Sequence, residues 1–167
     1  MFRFRICRKD ELGKILQLQE DCFAALDNPD WLRRNTVETF KLCLKRPNYC
    51  LGCFDGERLA ALGILQICNE DKENLGYQLE YPLERISEVG NMKLVLVDPG
   101  YRGNGLQKKL MDRCEKNARN KNIRVLATTV HPDNVFSVRN IEKCGYVYHS
   151  SHEKYGGLIR SLYYKNL

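Results

Sequence analysis

Between Asp98 and Lys109 the chain reads DPGYRGNGLQKK, three glycines and three cations in twelve residues. Gly100, Gly103 and Gly105 leave backbone amides bare, with no Cβ to hold a ligand away. Apolar residues then resume at helical spacing, Leu106, Leu110, Met111, Cys114 and Ala118, so the amides fall at the start of a helix. Free N–H groups and the helix dipole both favour an anion there. Arg102, Lys108 and Lys109 add positive charge. An ordinary tight strand-to-helix connection also uses glycines, and on spacing alone that reading stands beside the anion site.

Two familiar phosphate loops can be tested against this run, and neither is present. A P-loop, G-x-x-x-x-G-K-[ST], finds its glycine spacing in Gly100 and Gly105. Leu106 and Gln107 then stand where the lysine and the metal-binding hydroxyl belong. The dinucleotide fingerprint G-x-G-x-x-G fits Gly103 and Gly105 but meets Lys108 in place of its third glycine.

The run Val97-x-Pro99-x-Tyr101-Arg102-Gly103-Asn104-Gly105-Leu106 resembles the acetyl-CoA signature of the GNAT superfamily of N-acetyltransferases. The core of that signature, [RQ]-x-x-G-x-[GA], is met by Arg102 and Gly105, with Gln107 where a small residue is usual. A second block, NVFSVRNIEKCGY from Asn134 to Tyr146, is similar to the family's N-x-x-[AS]-x-x-x-Y-x-x-x-G-[FY]. Asn134, Ser137, Gly145 and Tyr146 match it, and Ile141 stands where the tyrosine is expected.

The resemblance implies direct transfer of an acetyl group from acetyl-CoA, as cosubstrate, to a primary amine of a small molecule or peptide. It implies that the backbone of Val95 and Val97 binds the pantetheine arm as an added strand would. It also implies that the amides of Arg102, Gly103, Asn104, Gly105, Leu106, Gln107 and Lys108 hold the pyrophosphate, which the spacing and dipole support on their own. Asn134 would bond the cosubstrate near its thioester; a helix N-cap is the other reading and does not exclude the first.

Catalysis is where the chain departs from the family. Ile141 has no proton to give a departing thiolate, although a thiol with a pKa of about 8.5 leaves tolerably without one. The places where relatives carry a carboxylate base read Asn91 and Thr129, neither of which titrates. Glu88 is the nearest carboxylate, either a base acting directly or through water, or a solvated charge at a strand end. His131 is a second candidate base or a loop residue, and Cys144, Tyr146 and Tyr148 are candidate acids. A non-catalytic acyl-CoA-binding module of the same fold is therefore the alternative to an enzyme. The resemblance puts the acceptor beside the first two helices and the last hairpin, where Trp31, Arg33, Arg34, Tyr77, Tyr81, Tyr155 and Tyr163 would form the walls.

The elements that must position these groups follow from periodicity. Phe2, Phe4 and Ile6 alternate with arginines, which predicts a strand. Asp10 is a candidate cap for a helix to about Leu26, and Thr36 for a short one ending before Pro47. Strands at 49–54 and 58–68 join through Asp55-Gly56. Leu94 to Val97 forms a strand buried on both faces, stopped by Pro99, which cannot donate to a ladder. After the glycine-turn helix come a strand at 124–130, a helix at 134–144 with Gly145 as its C′ residue, and strands at 146–151 and 158–164. The expected fold is one α/β (α+β) domain spanning 1–167, a GNAT-type mixed, mostly antiparallel sheet with helices on both faces.

Composition bounds the rest. The net charge of +6 suits an anionic ligand, and the absence of a dense Lys/Arg run argues against nucleic acid. No apolar stretch approaches the ~20 residues of a membrane span, and MFRFRICRKD has no uninterrupted apolar leader core, so a cytoplasmic protein is expected. Eight cysteines include one C-x-x-C, Cys50 and Cys53, with no second pair to complete a zinc site. They read as small hydrophobes, with no metal expected. Exposed aromatics are compatible with a homodimer as well as with core.

Overall fold

A computed structural model describes residues 1–154 and 156–167; the wall expected at Tyr155 lies outside the described residues. The elements run β1 (Phe2–Ile6), α1 (Leu12–Ala24), α2 (Val37–Cys43), β2 (Tyr49–Asp55), β3 (Arg58–Gln66), β4 (Val89–Val97), α3 (Leu106–Asn120), β5 (Val125–Val130), α4 (Val135–Lys143), β6 (Val147–Lys154) and β7 (Leu158–Asn166). This is the expected order. The seven strands form one sheet in the order β1-β2-β3-β4-β5-β7-β6, antiparallel everywhere except between β4 and β5.

The alternation of side chains along the central strands sorts the core into two layers. Leu62, Ile64, Leu94 and Leu96 pack with Ile15, Leu18, Cys22 and Phe40 of α1 and α2. Leu65, Met92 and Val95 pack on the other face with Met111 and Cys114 of α3 and with Ile141 of α4. Cys50 and Cys53, three apart on β2, fall in clusters on opposite faces and do not form one ligand pair. The Cys7 thiol, and then burial, raises the pKa of Cys50, and burial raises that of Cys53.

Local chemistry sets the ends of the helices. Thr36 caps α2, accepting from the Thr39 amide at 3.2 Å, and Gly145 closes α4 at φ +90° with the Tyr146 amide bonded to the Ile141 carbonyl. Asp10 does not cap α1. A single turn of 3₁₀ helix, Lys9–Glu11, precedes that helix, and the buried carboxylate there is Glu11. It accepts from both Arg5 guanidinium nitrogens, at 2.8 and 2.6 Å, and from the Arg8 amide at 2.8 Å. The Arg5 bonds, with the Arg8 amide, hold its pKa down to about 2, against burial. Its stabilisation is therefore present above the unfolded pKa near ~4.3 and is lost as the pH falls towards about 2. We expect Glu11→Gln to cost about 2 kcal/mol in urea denaturation at pH 7, and the gap to the parent protein to close in acid.

The central strand begins at Val89, five residues before the apolar run at Leu94. Its pairing with β5 covers only Val89↔Val125, Gly90↔Leu126 and Asn91↔Ala127, after which the two strands part. Thr128 spans the start of the opening, its hydroxyl donating to the Met92 carbonyl at 2.9 Å.

Candidate active site

The parting of β4 from β5 leaves a row of backbone groups without a strand partner, and the ladder with β3 identifies them. The Asp98 amide donates to the Ala60 carbonyl, and Leu96 faces Leu62 in register. Polar groups alternate in direction along an antiparallel strand, so Leu96 and Leu94 bond towards β3. Those of Val95 and Val97 point into the opening. The Val97 carbonyl already accepts from the Cys22 thiol there, at 3.4 Å.

At the end of β4 the glycine turn delivers the chain into α3. Asp98 is buried and stiffens the turn, accepting from the Gly100 amide at 2.8 Å and from Arg58 at 2.6 and 3.0 Å. Gly103 and Gly105 take φ +83° and +66°, and a Cβ added to either would meet no atom within 4 Å. Gly105 is the N-cap of α3 without a capping side chain, and the first intrahelical bond runs from the Lys109 amide back to Gly105. The amides of Leu106, Gln107 and Lys108 are thus left for a ligand.

These two features share one cavity of about 640 Å³. Val95, Val97, Arg102, Gly103, Gly105, Leu106, Gln107, Lys108 and Asn134, nine of the ten residues expected to bind the cosubstrate, line it. The tenth, Asn104, is exposed beside it, its side-chain amide donating to the Tyr101 carbonyl at 3.0 Å. Asn134 caps α4, its Oδ1 accepting from the Ser137 amide at 3.2 Å, which leaves its NH₂ for a ligand. The Gln107 side chain reaches across to α4, where its Oε1 accepts from Asn140 at 2.8 Å. The opposite wall carries Trp31, whose Nε1–H is buried without an acceptor among the described residues.

A second cavity, of about 280 Å³, opens lower on the same strand. Asn91, Met92 and Lys93 of β4, Thr129 of β5 and Gln66 of β3 line it, with Glu73 and Gln78 from the β3–β4 connection. Asn91 and Thr129, the two non-titrating positions at which the family resemblance implies a base, therefore sit in one depression. Asn91 is buried and engaged: it accepts from the Leu75 amide at 3.0 Å and donates to the Glu73 carbonyl at 2.8 Å.

Glu88 is not brought to either cavity, and its expected role as base is set aside on that ground. It ends the 3₁₀ turn before β4, seven residues from Val95, roughly 20 Å along an extended chain. Its carboxylate accepts from Arg85 at 2.7 Å and from the Tyr81 hydroxyl at 3.1 Å, and Arg85 holds its pKa below the usual carboxylate range. Glu73 is the carboxylate that lines the second cavity. It sits in the polar interval 69–74, where no periodicity marks it.

The other candidates separate in the same way. Ile141 is buried against Val138, Tyr146 and Tyr163 and faces core. Burial drives the Tyr146 phenol well above its ordinary value, while the Tyr148 hydroxyl is exposed and bonded to Ser151. The His131 Nδ1 accepts from the Asp133 amide at 3.2 Å. Cys144 does line the first cavity, with burial raising its pKa. Among the walls expected for the acceptor, Trp31 and Tyr77 line cavities, Tyr163 is core, Tyr81 serves Glu88 and Arg34 pairs with Glu20.

The site thus sets an open strand edge beside a bare helix N-terminus. The chain belongs to the acetyltransferase (GNAT) family, whose sequence model matches residues 12–146. No curated protein matches it. Solved structures do match, at low identity. Arabidopsis thaliana NAA60 in complex with acetyl-CoA superposes with a TM-score of 0.81 at 16% identity, over 100% of this chain and 99% of that one. The ribosomal-protein-S18-alanine N-acetyltransferase of Escherichia coli gives 0.74 at 14%, over 99% and 94%. Salmonella typhimurium yncA with acetyl-CoA gives 0.71 at 16%, over 99% and 94%. No helix among the described residues is long and apolar enough to cross a membrane.

Proposed function

We propose that this chain, as a single domain, transfers the acetyl group of acetyl-CoA directly to a primary amine. The observation that carries this reading is the continuity of the first cavity, which joins the unpaired edge of Val95 and Val97 to the bare amides of Leu106, Gln107 and Lys108. The space left above Gly103 and Gly105 fits a diphosphate, and the orphaned Trp31 N–H fits a carbonyl of the pantetheine arm or thioester. Two structural neighbours hold acetyl-CoA, and one is named for an alanine amine, which supports amino-acid and peptide amines among the acceptors.

Acetyl-CoA supplies an activated carbonyl carbon: the amine nitrogen bonds to it, the carbon–sulfur bond breaks, the sulfur leaves with the electron pair and gains a proton, and the nitrogen loses one. The protein's part is mainly positional. The strand edge fixes the arm, the helix amides fix the phosphates, and alignment of this kind replaces much of the entropic barrier. Glu73 takes the amine proton, directly or through water, from the second cavity.

Acetyl-CoA is expected to raise the melting temperature, since a ligand that binds only the native state adds about 2.7 kcal/mol at a hundredfold excess over Kd. ATP and NAD at matched concentration should do far less, and equal stabilisation by either would remove the diphosphate-and-pantetheine assignment. Thiol release over a panel of amines separates transfer from binding alone. Stabilisation with no turnover on any amine would leave an acyl-CoA-binding module.

A further inference from the structure

We infer that the acceptor amine carries a carboxylate close by, and that the second cavity holds both groups. The inference rests on the acetyl-transfer reading above and adds the substrate class to it. The cavity, at about 280 Å³, lies at the small end of ligand sites, the size for one amino-acid unit. Lys93 in it stands two positions before Val95 on the cosubstrate edge, about 7 Å along the strand. An amine held here is within reach of a thioester lying along Val95.

Two features of its lining ask for opposite charges. The side-chain oxygens of Gln66 and Gln78 are buried without a donor among the described residues, and both residues line the cavity. Buried acceptors are rarely left unpaired in folded proteins, and an amine supplies the missing N–H groups. Lys93 is the counterpart. It is half-buried where the β3–β4 register shifts, and it makes no ion pair among the described residues. Lys72 joins it, so two ammonium groups face one carboxylate, Glu73. A half-buried cation without a counter-ion is poorly served by a neutral acceptor and well served by a carboxylate.

The test compares acceptors that differ in one charge. With acetyl-CoA fixed, kcat/KM is measured by thiol release for Ala-Glu amide, Ala-Gln amide, Ala-Lys amide and free glutamate. Ala-Glu amide is expected to exceed Ala-Gln amide by roughly tenfold or more, the scale of one hydrogen bond to a charged group. Free glutamate against Ala-Glu amide tells an amino acid's own carboxylate from a peptide's acidic side chain, and a preference for either supports the inference. Lys93→Glu should turn the preference towards Ala-Lys amide. Lys93→Gln, which keeps the stem and carries the test if the glutamate variant does not fold, should abolish the preference. In both variants the melting shift with acetyl-CoA should persist, because Lys93 lies outside the first cavity. Equal kcat/KM for Ala-Glu amide and Ala-Gln amide, with no advantage for free glutamate over either, overturns the inference. So does a preference that survives both substitutions, or intact acetyl-CoA stabilisation with no acceptor turned over. Loss of acetyl-CoA stabilisation in the parent protein strikes the transfer reading instead.

Discussion

Replacing Gly105 with glutamate is expected to leave a folded protein that no longer responds to acetyl-CoA. An added Cβ at Gly105 meets no atom within 4 Å, so the side chain has room. The cost is conformational: at φ +66° a non-glycine residue pays about 1–2 kcal/mol, a fall of roughly 2–8 °C for a chain this long. The effect on the ligand is far larger. A carboxylate would sit before the free amides of Leu106, Gln107 and Lys108, taking the place of the diphosphate and repelling it. Calorimetry should find acetyl-CoA affinity lowered ~100-fold or more. Gly105→Ala is the control, with the same backbone strain, no charge and most of the affinity kept. Undiminished affinity in a folded Gly105→Glu protein would dismiss the helix terminus as the anion site.

The second large effect is expected at Asn91, a position where the family resemblance implies a carboxylate. Asn91→Asp should destabilise the protein by about 3 kcal/mol at pH 7.5 and should not raise turnover. The parent side chain is buried, with its NH₂ donating to the Glu73 carbonyl and its oxygen accepting from the Leu75 amide. An aspartate there loses the donor and sets a charge against a carbonyl oxygen. Burial and that contact raise its folded pKa above the unfolded value. The protonated form is thus favoured in the native state, so the penalty is small below the unfolded pKa and grows as the pH rises. Urea denaturation of parent and variant at pH 4.5 and pH 7.5 measures it. A deficit that did not grow between the two would mean that Asn91 is not sealed from solvent.

How much of this could be read from the chain differs by element. The glycine turn was legible because it is contiguous: twelve residues carry the strand end, the bare amides and the cations, and the structure leaves them together. Thr36 and Gly145 were legible as caps for the same reason, since capping acts within one helical turn. Asp10 misled because two acidic residues in succession can each serve a helix start, and the choice fell to Arg5, which reaches Glu11 across strand and turn. The second cavity was not legible at all. Gln66, Glu73, Gln78, Lys93 and Thr129 come from four separate stretches, and only the β3–β4 connection folding over the sheet assembles them. Glu88 was a choice by sequence distance. Three residues from Asn91 is near along a chain but far along a strand, and a 3₁₀ turn ending there aims the carboxylate at Arg85.

The parting of β4 from β5 has a mechanical side. Three ladder pairs, with the Arg124 amide on the Glu88 carbonyl and the Thr128 hydroxyl on the Met92 carbonyl, join β4 to β5 among the described residues, whereas β7 is laced to its neighbours over most of its length. The sheet thus has a seam, and the last three strands form the natural unit of partial unfolding. A molecule lying in the gap would bond to the edge of β4 while resting against the start of α4, on the far side of that seam. It would act as a rivet, slowing excursions of β6 and β7 although it touches neither strand.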